Sequence, residues 1–291
     1  MKKLLIFSLI LIFSAALHAE IKVVATTTVI FDIAKAIGGD KIKADYLVRG
    51  DQDPHFLEVM PSYMMKLRNA DLLIENGMGI EMWAPQLIDG SRNSRLEVVD
   101  LSQSIQKKEV PSQKLDASHG DVHPYGNPHY WLDPYNAKIM AQEIYSAFAS
   151  KSGKDEPYFK KNLDNFNSRL DAKIKEWSNK MAPLKGKSIV CFHASWIYFT
   201  DRYGMNIAGY VEPKPGIAPT PGHNADLFRI IKSNNVRNIL MENYYSDSAP
   251  QQISRTTGVK VTKVPTAVFG MQGVNSYFDM MDYIIDKLTK S

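Results

Sequence analysis

The chain has 291 residues and a formal net charge of +4, carried by Lys and Arg that are scattered rather than clustered, a distribution that excludes a nucleic-acid partner. Its length allows one large domain or two medium ones with cores of their own. A single cysteine, Cys191, excludes an intramolecular disulfide, and its place in the apolar run 188–192 marks it as a small buried hydrophobe.

In chain order, Lys2 and Lys3 precede an apolar run from Leu4 to Leu17 and the small residue Ala19, which is the layout of a cleavable secretory signal over residues 1–19. At about 14 residues the run falls short of the roughly 20 needed to span a bilayer, so a soluble exported protein is expected. A bacterial lipoprotein needs a cysteine directly after its signal, and Glu20 stands there. The expectation is a periplasmic protein that is not a lipoprotein.

From Lys22 onward, short β-branched runs alternate with amphipathic segments, the signature of βα units around a parallel sheet. Strands are expected at 23–27, 44–48, 71–75 and 96–101, with helices starting near Ile30, Pro61, Ile80 and Pro134. Asp133 is placed to cap the last helix, and Pro134 suits its first position. The polar stretch 106–127 lacks periodicity and reads as an exposed loop.

Between 156 and 184, Phe159, Leu163, Phe166, Leu170, Ile174, Trp177 and Met181 recur at spacings of three and four, predicting one long amphipathic helix. At 1.5 Å per residue it would reach about 40 Å, a stiff connector that limits the lobes to small tilts. The alternation then resumes, with strands at 188–192, 207–211, 238–241 and 259–264 and helices near Ser195, Asn224, Pro250 and Ser276. The fold class is α/β: two Rossmann-like four-unit lobes with parallel sheets, 20–153 and 186–291, joined by a rigid backbone helix within 154–185.

Of the seven histidines, His18 leaves with the signal, while His55, His119, His123, His129, His193 and His223 fall in loops or at strand ends. Open α/β sheets bind ligands beyond the carboxyl ends of their strands. His55, His129 and His193 each follow a strand, two from the first lobe and one from the second. They are the candidate metal ligands, an imidazole cluster in the interlobe cleft that one further donor completes to the tetrahedral shell of zinc.

The local contexts of these histidines carry a family resemblance. Asp53-Pro54-His55 ahead of Pro61-Ser62, the run Asn76-Gly77-Met78-Gly79-Ile80-Glu81-Met82-Trp83, the run from Asn127-Pro128-His129 to Asp133-Pro134, and Phe192-His193-Ala194-Ser195 leading to Arg202-Tyr203-Gly204 resemble the cluster A-I metal-binding proteins of zinc and manganese ABC importers. The periplasmic zinc-binding (ZnuA-like) branch is the nearest match, over nearly the whole chain past the signal. The resemblance implies two lobes on a long helix, metal on His55, His129 and His193, and delivery to a membrane permease driven by a cytoplasmic ATPase. Many members of that family supply a carboxylate ligand from the loop after the last strand, but 265–275 contains no Asp or Glu. The fourth donor is therefore open between water and Glu242, for which a capping or outer-shell role is the alternative. Three imidazoles without a carboxylate favour Zn(II) as the transported ion over Mn(II).

His119 and His123 are expected to be solvated loop residues, with transient zinc capture near the cleft mouth as the other reading. Glu212 is expected to meet solvent, Tyr244, Tyr245, Trp131 and Trp196 to pack, and His223 to lie on the surface. Three histidines with an exchangeable fourth position also outline a zinc hydrolase. No His-Glu-x-x-His helix is present, and two lobes on a spine suit capture and release, so a monomeric binding protein rather than an enzyme is expected.

Overall fold

The structure, a computed structural model, describes residues 20–112, 123–214 and 216–290. The signal expected at 1–19 and the loop residue His119 lie outside the described residues. The first lobe runs β1 (Ile21–Ala25), α1 (Thr28–Gly38), β2 (Ile42–Tyr46), α2 (Pro61–Arg68), β3 (Leu72–Glu75), α3 (Ala84–Ser91), β4 (Glu97–Asp100) and α4 (Pro134–Lys151). A 26-residue helix, α5 (Glu156–Met181), follows. The second lobe runs β5 (Ser188–Cys191), α6 (Ile197–Tyr203), β6 (Asn206–Tyr210), α7 (Pro221–Ser233), β7 (Asn238–Glu242), α8 (Ser248–Thr257), β8 (Lys260–Val264) and α9 (Tyr277–Thr289).

The two sheets are parallel and share one topology, β2-β1-β3-β4 and β6-β5-β7-β8. In each, the connections leave to opposite sides of the first strand, which makes a crevice beyond the carboxyl ends of β1/β3 and β5/β7. Their central strands are apolar on both faces, as sheets covered by helices on both sides require: Leu72, Leu73 and Ile74 of β3 are fully buried, as are Ile239, Leu240 and Met241 of β7.

All seven apolar residues that predict α5 are buried, and the helix packs against α1, α4 and α9. One apolar cluster runs from β1 and α1 through α4 and α5 to Cys191, Trp196 and α9. The lobes therefore share a core at the spine. Hydrogen bonds between them reinforce it, among them Trp131 Nε1 to the Thr266 carbonyl at 2.8 Å, Tyr277 Oη to the Trp131 carbonyl at 2.8 Å, and Thr28 Oγ1 to the Val268 carbonyl at 2.7 Å. Asp133 caps α4 by accepting from Tyr135 N and also takes a two-pronged ion pair from Arg202, at 2.7 and 2.8 Å. Among the described residues, no helix is long and apolar enough to cross a membrane.

Two helix starts differ from the sequence expectation. α3 begins at Ala84 and not near Ile80, because Gly77, Met78 and Gly79 all take positive φ, 79°, 53° and 82°, which ends any helical path. A side chain at Gly77 would also strike Asp100. The buried Glu81 carboxylate closes this turn by accepting from Thr26 Oγ1, Asn76 N and Gly77 N. α7 begins at Pro221, three residues before Asn224, because Thr220 caps it through His223 N.

Candidate metal centre

His55 and His129 are presented by the same local device. Asp53 Oδ1 accepts from His55 N at 3.0 Å and from His55 Nδ1 at 2.6 Å; Asn127 Oδ1 accepts from His129 N and His129 Nδ1, both at 3.0 Å. A side-chain oxygen that takes the backbone N–H two residues on forms a turn of its own, and the intervening Pro54 or Pro128 fixes φ and brings no competing donor. The run 76–83 clamps both turns. Trp83 Nε1 donates to the Pro54 carbonyl at 3.0 Å, and Asn76 Nδ2 donates to the Pro128 carbonyl at 2.8 Å.

His193 leaves β5 from the second lobe and is fully buried. Its Nδ1 lies 2.8 Å from Glu212 Oε2. Strand register makes this pair: β5 and β6 shift by one residue between Ile189 and Val190, so that Cys191 pairs with Tyr210. Two residues further along each strand, His193 and Glu212 therefore come side by side. Without the shift the residues beyond it, Glu212 included, would be displaced by one and point to the other face.

In all three histidines an acceptor holds the proton on Nδ1, leaving the Nε2 lone pair to point elsewhere. The rings converge, with centroids 5.2 Å apart for His55–His129, 5.2 Å for His55–His193 and 5.4 Å for His129–His193. Nε2 of His129 and of His193 is buried with no hydrogen-bond partner among the described residues. An orphaned buried polar atom costs about 1–3 kcal/mol, a cost that a cation between the rings would remove.

A fourth imidazole joins them. His123 Nε2 lies 3.3 Å from His55 Nε2, and its ring centroid is 5.0 Å from that of His55 and 5.7 Å from that of His129. Donor atoms of His55, His123 and His193 all fall within 4.8 Å of one another. Burial, followed by repulsion from His55 and His193, pushes His123 down to about 3 and His129 well below the usual histidine range. Both are therefore uncharged lone-pair donors at neutral pH. Burial opposes ionisation of Asp53, but the bonds and charge of His55 outweigh it and hold the carboxyl below its usual range.

The rings of His55, His129 and His193, the candidates named from the sequence, stand together with that of His123, while the donor atoms within 4.8 Å of one another are those of His55, His123 and His193, without His129; His123, expected as a solvated loop residue, is part of the cluster. Its one sequence signal is position, six residues ahead of His129 in the same β4–α4 connection. Glu212 is another difference: it is 9% exposed and engaged with His193, not a solvent contact. Glu242 is fully buried, accepts from Trp196 Nε1 at 2.9 Å, and is pushed up to about 8 by burial. It props the residue preceding α6. Tyr245 packs as expected, stacked on Phe192 at 4.7 Å, and also donates to Asp53 Oδ2 at 3.0 Å. His223 is spent on the Tyr210 carbonyl at 2.9 Å.

A family model for the periplasmic component A of the zinc-uptake complex matches residues 23–291. The manganese ABC transporter substrate-binding lipoprotein PsaA of Streptococcus mitis is 28% identical over 286 residues, covering 95% of this chain and 90% of its own. The metal ABC transporter substrate-binding lipoprotein SloC of Streptococcus mutans is 26% identical over 279 residues, covering 92% and 89%. Among solved structures, a crystal structure of ZnuA has a TM-score of 0.81 at 21% identity, with 94% of this chain and 99% of that chain covered. The Mn-bound periplasmic metal binding protein from Candidatus Liberibacter asiaticus has a TM-score of 0.78 at 18% identity, with 92% and 98% covered. These two structures carry the fold.

The relatives correct one expectation. A periplasmic protein that is not a lipoprotein conflicts with the streptococcal relatives, which are named lipoproteins. Glu20, the one residue behind that expectation, stands at the edge of the folded region. A lipid at the start of a chain leaves both lobes unchanged, so the folded core does not register whether an anchor exists. Matched from Val23 to the last residue, the chain belongs to the family of zinc-uptake complex component A proteins and is a metal-binding, substrate-binding component of an ABC importer, not an enzyme.

Proposed function

We propose that this protein captures Zn(II) on His55, His129 and His193 and delivers it, as a monomer, to the permease of an ABC importer driven by a cytoplasmic ATPase. Its working parts are the lobes 20–153 and 186–291 and the linking segment 154–185. The observation that carries the reading is the pair of buried Nε2 atoms on His129 and His193 left without a partner among the described residues, on rings from two lobes whose centroids are 5.4 Å apart and whose Nδ1 atoms are committed elsewhere.

The donor set favours zinc. Imidazole suits Zn(II), whereas carboxylate and water suit Mn(II), and the loop 265–275 offers no acid. Several relatives are named for manganese, so donor chemistry and the relatives' names point to different ions. We follow the donor chemistry, because the ion meets side chains and not overall identity. Two carboxylates stand just behind the imidazoles, Asp53 on His55 and Glu212 on His193. They fix the tautomer and the orientation of the ligands and balance the charge of a dication inside a buried site. Release follows from a tilt that draws His193 away from His55 and His129.

The test is metal content and competitive zinc titration of chelator-stripped protein, with His55→Ala, His129→Ala and His193→Ala alongside. One tight zinc per chain, weakened by each substitution, is the expected result. No tight zinc, or indifference to all three, would remove the reading.

A further inference from the structure

We propose that His123 is a fourth protein ligand of the transported ion, an exchangeable one, which stands in for the acidic donor this chain lacks and makes the shell all-nitrogen. The inference rests on the proposed zinc site and goes beyond it, because it fixes the coordination number, the donor type and the ligand that leaves first.

Three observations carry it. Among the described residues, His123 is the donor grouped with His55 and His193: the loop 265–275 is free of Asp and Glu, and Glu242, whose Oε1 accepts from Trp196, is not in that group. His123 instead offers a nitrogen within 4.8 Å of donors on both His55 and His193, so one residue reaches ligands on both lobes.

The second observation is the 3.3 Å approach of His123 Nε2 to His55 Nε2. His55 carries its proton on Nδ1, against Asp53, so its Nε2 is a lone pair. The contact is then a hydrogen bond only with the His123 proton on Nε2. An ion between the two nitrogens replaces that bond with two metal–nitrogen bonds, and the His123 proton moves to Nδ1. Four neutral imidazoles around one dication make a tetrahedral shell of the kind zinc accepts.

The third observation separates His123 from the other ligands. Nδ1 of His55, His129 and His193 is held by Asp53, Asn127 and Glu212 respectively, whereas Nδ1 of His123 is buried with no partner among the described residues. Outer hydrogen bonds fix the tautomer and the ring orientation of a ligating histidine. His123 alone lacks one, so its ring is free to change tautomer and to leave the ion while the other three stay aimed.

The experiment uses the full chain, stripped and reloaded with Zn(II) or Co(II), comparing wild type with His123→Ala and His123→Asp. Metal-edge X-ray absorption counts the imidazoles, the Co(II) visible spectrum reports four-coordination, and chelator competition reads affinity and off-rate. Loss of an outer partner alone costs roughly 10–100-fold in affinity, so His123→Ala is expected to lose about 100-fold for zinc, to speed release, and to drop from four imidazoles to three. His123→Asp is expected to recover part of the affinity and to move selectivity toward Mn(II). A circular-dichroism melt of the stripped variants checks that both are folded.

An unchanged imidazole count and zinc affinity in folded His123→Ala would overturn the proposal while leaving the site of His55, His129 and His193 intact. Wild-type protein with no tight zinc would remove both readings, which makes the two failures distinguishable.

Discussion

The hydroxyl of Tyr245 donates to Asp53 Oδ2 at 3.0 Å, so a side chain of the second lobe steadies the carboxylate whose other oxygen orients His55 in the first. Closure of the cleft and aim of a ligand are thereby linked without the ion. Tyr245→Phe keeps the stack on Phe192 and deletes only the hydroxyl. Zinc affinity is expected to fall by about 10-fold, with the melting of the stripped protein changed by no more than about 1.5 kcal/mol, the worth of one hydrogen bond. Isothermal titration and thermal melts check both.

Glu212→Gln retains an oxygen able to accept from His193 Nδ1 but removes one of the two negative charges behind the imidazoles. Affinity for zinc is expected to drop by roughly 10–100-fold. Glu212→Ala also frees the ring and should cost more. Equal, small effects of both substitutions in a chelator competition would show that neither charge nor orientation matters at this position.

The shared apolar core from α1 through α5 to α9 predicts small lobe tilts between stripped and zinc-loaded protein. Crystal structures of the two forms should superpose closely over both sheets, with differences concentrated in the loops that carry His55 and His123. A wide rigid-body closure would contradict this.

Asp32 supplies a pH-dependent prediction away from the cluster. Burial, and next in effect Asp279, raise its carboxyl from 3.8 to about 6, although it accepts from Tyr277 N at the start of α9. The folded state therefore holds this proton more tightly than the unfolded chain does. The cost of ionisation is fully present above about pH 6 and disappears as pH falls toward 3.8. Asp32→Asn is expected to stabilise the protein by about 1–2 kcal/mol at pH 8 and by progressively less toward pH 4, as read from denaturant melts across that range.

Much of this was legible in the residues. The β-branched runs and the spacing of Phe159 to Met181 located the strands and α5, because burial on a sheet or along one helix face leaves a period in the sequence. His55, His129 and His193 stood out because each follows a strand in an open sheet. Glu212 did not, since its meeting with His193 depends on a one-residue register shift between β5 and β6 that composition does not encode. His123, for which a solvated loop position was expected ahead of zinc capture, was underrated for a related reason. Its loop is returned to the cleft by the bond from Asn127 N to the Lys108 carbonyl at 2.8 Å and by Asn127 Nδ2 on the Ala194 carbonyl at 2.5 Å, contacts set by tertiary packing and not by local pattern.

The most direct test of the account is a competition of Zn(II) against Mn(II) for the stripped wild-type chain at neutral pH, read by the metal retained after gel filtration. The imidazole cluster predicts one zinc per chain, held against a large molar excess of manganese. Manganese retained at equal concentration, or displacing bound zinc, would contradict it and return the site to the ion for which several of its relatives are named.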